Sequence, residues 1–147
     1  REARTAKQAA HLRAALAKGA LKRLSHLDLN DNLLGAEGMA TLAMPLRKME
    51  LLECLGLANN GLGAEGVASL FTNFGKDDFK ALKRLWLGLN QITDAGMTTL
   101  VAAIEAGRLP RLRNDHAFIK KVLFLSHNRA SASAVQAVED ALAKRSQ

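Results

Sequence analysis

The sequence predicts an α/β protein, a short right-handed solenoid with about four parallel strands along one side and helices along the other. Three observations carry this expectation. A nine-residue pattern, L-x-x-L-x-L-x-x-N, recurs three times and is followed each time by a glycine-bearing turn. Apolar residues at a helical period of 3.6 then close each unit. Aromatic residues are scarce, with one Trp, five Phe and no Tyr, so the core must be assembled from many small aliphatic contacts, as thin stacked layers require.

Taken in chain order, the first element is a helix around Thr5 to Lys18, marked by Ala9, Leu12 and Leu16 on one face. It reads as the trailing half of an earlier unit or as a cap. Strand positions follow at Leu24, Leu27 and Leu29, at Leu52, Leu55 and Leu57, and at Leu82, Leu85 and Leu87. Within each strand the second and third leucines alternate inward at the period of two that a strand imposes. Asn32, Asn60 and Asn90 close the three patterns, 28 and then 30 residues apart. At the point where the chain leaves the sheet, a side-chain amide can satisfy backbone groups that no ladder reaches, so these residues form a structural ladder. Gly35 and Gly38, then Gly63 and Gly66, recur in register and serve turns and close packing. The helices that follow are marked by Met39, Leu42 and Leu46, by Val67, Leu70 and Phe74, and by Met97, Leu100 and Ile104. Pro45 is expected to kink or shorten the first of them.

A fourth, degenerate copy runs from Lys120 through Leu123 and Leu125 to Asn128, with a helix through Val135, Val138 and Leu142. A Ser133-x-x-Gln136 pattern is the expected N-cap of that helix. Asn128 lies 38 residues after Asn90, so one extra loop is expected, and Pro110 places it from Gly107 onward. The expected organisation is a single domain over 1–147. It comprises an N-terminal helix or cap at 5–19, full repeats at 21–48, 49–78 and 79–107, an insertion at 107–118, and a degenerate C-terminal repeat at 119–147.

A strand–loop–helix unit of about 28–29 residues with these fixed leucines and asparagines resembles the ribonuclease-inhibitor-like class of leucine-rich repeats. That class also occurs in NOD-like receptors and the Ran GTPase-activating protein. The resemblance covers residues 21 to about 145. It implies a parallel sheet on a concave side, helices on a convex side, and a role in binding another macromolecule. It also raises regulation of a GTPase as a distant reading, although no arginine in this sequence is singled out for it.

In such an architecture the residues between the core leucines face outward and line up across strands. One row is His26, Cys54, Arg84 and Val122, and the next is Asp28, Gly56, Trp86 and Phe124. Adjacent strands are about 4.8 Å apart, so the Trp86 and Phe124 rings can touch. Trp, Phe and Arg together have the composition of an interface hot spot. Arg84, Trp86 and Phe124 are therefore the expected centre of a partner-binding patch, with Leu89 and His127 at its rim. The competing reading is that the two rings pack only on each other or under the insertion.

Charge is unevenly spread. The chain carries a net +7, made of +6 over residues 1–25, −4 over 26–105 and +5 over 106–147. Basic clusters lie at Arg4, Lys7 and Arg13 and at Arg108, Arg111, Arg113, Lys120 and Lys121. These are either solvated surface or contacts to RNA phosphates or an acidic subunit. Neither cluster contains aromatic residues for stacking, which argues against a reader of single-stranded nucleic acid. A structural subunit of a large assembly, such as an organellar ribosome or respiratory complex docked by its basic ends, is the alternative to a protein-binding module.

Catalytic chemistry finds little support. His26, Asp28 and Cys54 could share one face, but they lack an orienting third group and oxyanion donors. Four scattered His and one Cys offer no metal-ligand spacing, and no cofactor is implied. A single cysteine suits a reducing, intracellular compartment, the cytoplasm first and a mitochondrion second. No apolar run approaches a membrane span. The opening Arg- and Ala-rich stretch also has the composition of an organellar transit segment, so Arg1 could begin a fragment or a processed chain.

Overall fold

The computed structural model describes residues 2–113 and 122–145, with side chains described from Thr5 onward. Helix α1 (Glu2–Ala17) is followed by β1 (His26–Asp28), α2 (Gly35–Arg47), β2 (Cys54–Gly56) and α3 (Gly63–Phe71). Then come β3 (Arg84–Trp86), α4 (Asp94–Glu105), β4 (Leu123–Phe124) and α5 (Ala132–Arg145). The strands form one parallel sheet in the order β1-β2-β3-β4. Each helix packs on the next one in sequence, from α1 on α2 through to α4 on α5. The result is a solenoid-like α/β stack in which every unit touches chiefly its neighbours.

Register follows the leucine pattern. Leu27 pairs with Leu55, Leu55 with Leu85, and Leu85 with Leu123, so the inward leucines of four consecutive units stand abreast. Leu55, Leu57, Leu85 and Leu87 are fully buried with Met39, Leu42, Val67, Leu70, Met97 and Leu100 from the helices. Leu24, Leu27 and Leu29 in the first unit, and Leu123 in the last, are only partly buried. They have a stacked neighbour on one side only, and the gain from burial scales with the area covered.

The asparagines tie one turn to the next. Asn60 Nδ2 donates to Leu29 O at 2.8 Å and Leu57 O at 3.1 Å, while its Oδ1 accepts the N–H of Asn32 at 3.1 Å and of Leu34 at 3.2 Å. Asn90 repeats this toward Leu57 O and the N–H of Asn60, both at 2.8 Å, and Asn128 does so toward Leu87 O and the N–H of Asn90. Asn60 and Asn90 are completely buried; Asn32, at the first turn, is exposed and bonds only the carbonyls of Leu29 and Asn30 with its amide. The residue before each Asn adopts a left-handed backbone: Asp31 at φ 60°, Asn59 at 53°, Leu89 at 57° and His127 at 59°.

Several local expectations are corrected. Pro45 does not shorten α2, which runs two residues further to Arg47. Leu46, the next residue, still reaches the core. The cap of α5 is Ser131, not Ser133: Ser131 Oγ accepts the N–H of Ala134 at 3.2 Å. Ser131 is itself held by Asp94, whose carboxylate accepts its N–H at 2.6 Å and its hydroxyl at 2.9 Å.

The segment from Gly107, expected as a surface loop, enters the core instead. Leu109 and Leu112 are fully buried, and Leu112 N–H donates to Leu109 O at 3.0 Å. The same turn joins Leu24 to Leu21, Leu52 to Met49 and Leu82 to Phe79. Leu112 thus stands in the series Leu24, Leu52, Leu82. The apolar i, i+3 spacing of Leu109 and Leu112 outweighed the loop signal of Pro110.

Candidate functional site

The open face of the sheet is assembled from residues that alternate with the core leucines. Along the first row, His26 pairs with Cys54 and Cys54 with Arg84. The outer two side chains reach across the middle strand: Arg84 Nη2 lies 3.2 Å from His26 Nε2, and His26 Nδ1 lies 2.8 Å from Ser25 Oγ. Cys54 is buried beneath them. Burial pushes its thiol pKa upward, the nearby Arg84 charge opposes this, and Asp28 adds to it. A thiol held protonated beside an imidazole with both ring nitrogens engaged is the reverse of an activated nucleophile. Among the described residues, no group of three or more His, Cys, Asp or Glu could hold a metal ion.

Along the second row Asp28 pairs with Gly56, Gly56 with Trp86, and Trp86 with Phe124. Asp28 is engaged locally, its Oδ1 accepting the N–H of Asn30 at 2.9 Å, and Asn30 Oδ1 in turn accepts the N–H of Ala58 at 2.7 Å. These two side chains lie over Gly56, where a Cβ would come within 2.9 Å of Asn30 Oδ1. A larger residue at Gly56 would displace that bridge.

On the other side of the row, Arg84, Trp86 and Phe124 meet around a shallow depression of about 360 Å³ that Ala58 and Gly88 complete. Small residues at two positions and large ones at two others leave the hollow. Trp86 is half-buried and Phe124 is 45% exposed. The two rings do not stack on each other: among the described residues the ring–ring contacts join Phe71 to Phe74 and Phe74 to Phe79. Trp86 and Phe124 instead wall the hollow. Leu89, 53% exposed, and His127, also exposed, follow β3 and β4 in the turns that lead away from this face.

The basic clusters separate into different environments. Lys7 and Arg13 are exposed on α1, and Arg111 and Arg113 are exposed after α4. None forms an ion pair among the described residues. Arg108 is partly buried, its guanidinium 5.8 Å from the centre of the Phe74 ring. The side chain of Arg4, and Lys120 and Lys121, lie outside the described residues.

Two cations, one buried and one half-buried, had escaped the sequence analysis. Arg47, at the end of α2, donates to Thr72 O at 2.6 Å and lies 3.5 Å from Asp78, which is also buried and bonded to Lys48 at 2.6 Å. Its guanidinium lies 5.7 Å from the Phe74 ring centre. Arg145, at the end of α5, donates to the carbonyls of Ile104, Arg108 and Leu109. Each places positive charge at the carbonyl end of a neighbouring helix, where the macrodipole favours it. The available signal was a cation standing four residues after buried Ala43, on the apolar stripe of α2.

A parallel sheet one strand per turn deep, helices stacked behind it, and an asparagine ladder at every turn define a solenoid built from repeats. The description Leucine Rich repeat matches residues 23–43, 48–71 and 81–101. Residues 23–101 form a leucine-rich-repeat domain, with strands and helices alternating as that fold class requires. Comparison with curated proteins gives no match. No helix among the described residues is long and apolar enough to cross a membrane.

Proposed function

We propose that the chain is a non-catalytic protein-interaction module whose partner docks on the open sheet face around Arg84, Trp86 and Phe124, with Leu89 and His127 at the rim. The observation that carries this reading is the hollow between Trp86 and Phe124. It is walled by the only Trp and an exposed Phe on a rigid sheet, and interface anchors are enriched in such residues. Large apolar groups held at a surface on two adjacent strands cost stability that a bound partner would recover. The repeat length and its full helices support placement in the ribonuclease-inhibitor-like class, and the single buried cysteine supports a reducing, intracellular compartment.

The test is affinity purification from the native source with the wild-type chain and with Trp86→Ala and Phe124→Ala. A partner held by the wild type and lost by at least ten-fold in both variants is expected; unaltered affinity overturns the reading. A second reading, docking of the basic ends to an RNA-containing or acidic assembly, is favoured by exposed and ion-pair-free Lys7, Arg13, Arg111 and Arg113. Phosphate-driven docking weakens steeply with salt, whereas an aromatic-anchored interface changes little, so a salt titration separates the two.

A further inference from the structure

We infer that the hollow on the sheet face recognises a short acidic–apolar peptide segment, with a large apolar side chain between Trp86 and Phe124 and a carboxylate on Arg84. This rests on the interaction-module reading above and specifies the chemistry of the partner. Four of the five residues around the hollow, Ala58, Trp86, Gly88 and Phe124, offer apolar surface, and Arg84 alone is charged. The volume, about 360 Å³, suits one or two side chains rather than a whole helix.

Charge selects the neighbour of that side chain. Arg84 is exposed, and among the described residues no carboxylate lies within ion-pair distance of it. Among the described residues its hydrogen-bond partner is the His26 imidazole, which carries no negative charge to compensate the guanidinium. Arginine offers two parallel N–H donors to a carboxylate, so the vacancy favours an acid over any neutral polar group. Asp28, the acid in these two rows, stands on β1, two strands away from Arg84, and accepts the N–H of Asn30.

Spacing fixes the motif. Arg84 and Trp86 are two residues apart on β3, about 6.8 Å along a strand. An extended partner presents residues i and i+2 on one side at that same interval, so an Asp or Glu two positions from a Phe, Leu or Trp satisfies both contacts. A nucleic acid is a poorer fit. Arg84 is the only Arg or Lys in the two rows, which also carry Asp28, whereas phosphate-driven binding needs several cations in a track.

The chain contains one Trp, and it lines the hollow, so its intrinsic fluorescence reports this site without labelling. The probes are acetyl-Gly-Asp-Gly-Phe-Gly-amide, the same peptide with Lys in place of Asp, the same peptide with Gly in place of Phe, and a ten-residue oligouridylate. The expected result is a saturable change with the Asp–Phe peptide, weakened about ten-fold or more by either replacement, since Lys for Asp removes the charge-assisted hydrogen bond to Arg84 and Gly for Phe removes the apolar side chain from the hollow. In Arg84→Glu the preference should invert toward the Lys–Phe peptide. Arg84 is exposed, so this variant is expected to keep the fold, which far-ultraviolet circular dichroism checks.

Saturable binding of Asp–Phe and Lys–Phe peptides with equal affinity would overturn the acidic requirement while leaving the sheet-face reading intact. A preference that fails to invert in Arg84→Glu, no response to any peptide, or a stronger response to the oligouridylate also overturns it. Failure of the interaction reading shows up separately, as a partner that binds Trp86→Ala as well as the wild type.

Discussion

Asn90 holds the preceding turn through Asn60: its Oδ1 accepts the Asn60 N–H at 2.8 Å, while its Nδ2 donates to Leu57 O at 2.8 Å. Both side chains are completely buried, so water cannot replace either bond. Asn90→Ala would leave the buried N–H groups of Asn60 and Leu62 without the Oδ1 they share, and each buried unsatisfied group costs about 1–3 kcal/mol. A loss of roughly 3 kcal/mol or more in urea denaturation is expected. Asn32→Ala, at the exposed first turn, should cost about 1 kcal/mol or less, since water takes over its bonds to Leu29 and Asn30. Equal losses at the two positions would show that the ladder does not act through burial.

Arg47 and Asp78 form the one ion pair among the described residues with both partners buried. Burial alone raises the Asp78 pKa. The Lys48 hydrogen bond, the Gly75 N–H and the charges of Lys48 and Arg47 outweigh it, so the net shift is downward. A carboxylate whose pKa is lower folded than unfolded adds stability above its unfolded pKa and loses it as pH falls through the folded one. Asp78→Asn should therefore be less stable than the wild type at pH 7, with the gap narrowing below the ordinary carboxylate range. Removing either partner alone is expected to cost about 3–5 kcal/mol, and the double variant Arg47→Met/Asp78→Leu less than the sum. Chemical denaturation at several pH values measures both; a gap that stays constant from pH 7 to the acid limit would refute the role given to Asp78.

The repeat was legible because its signals are local and redundant: Leu27, Leu55 and Leu85 each sit in a pattern that recurs with its asparagine and its turn. Their register follows from that recurrence, and with it the rows that bring Arg84, Trp86 and Phe124 together. What could not be read was set by contacts between units. The bridge of Asn30 over Gly56, the meeting of Arg84 with His26, and the burial of Arg47 beside Asp78 depend on side-chain reach across 26 to 58 residues, for which periodicity has no term. The hollow itself reflects small residues at Ala58 and Gly88, whose significance appears only once their neighbours are placed. Leu112 is not legible as core because the pattern of the fourth unit is set by Asn128, which puts this leucine inside the extra chain expected at 107–118.

Gly96, at the start of α4, is a sharper test of packing between units. A Cβ there would stand 2.4 Å from Ile92 Cγ2 and 3.4 Å from Ala64 Cα on α3. Ile92 is fully buried and β-branched, so it has little freedom to yield. Gly96→Ala is expected to destabilise the chain by about 1–3 kcal/mol through overpacking, although alanine ordinarily favours a helix over glycine by roughly 1 kcal/mol. Gly35→Ala is a different case: nothing lies within 4 Å of its Cβ position, and the cost comes from its φ of 65° alone. Thermal denaturation of both variants beside the wild type checks this. A stabilised Gly96→Ala would mean that Ile92 gives way to the added methyl group at this point.

Leu89 links stability to the proposed site. Its backbone φ is 57°, in the left-handed region where the equivalent positions hold Asp31 and Asn59, residue types that tolerate it. Leucine there is strained, and its side chain is also 53% exposed, so neither backbone preference nor burial accounts for it. Strain of this kind tends to collect at binding positions. Leu89→Asn should therefore raise stability by about 0.5–1 kcal/mol, by relieving the left-handed penalty, while weakening the partner identified by affinity purification. The paired readouts are a urea midpoint and partner affinity, measured on the same preparation. Gain of stability with affinity unchanged would place Leu89 outside the interface. Loss of stability would show that the leucine makes a packing contribution larger than its strain.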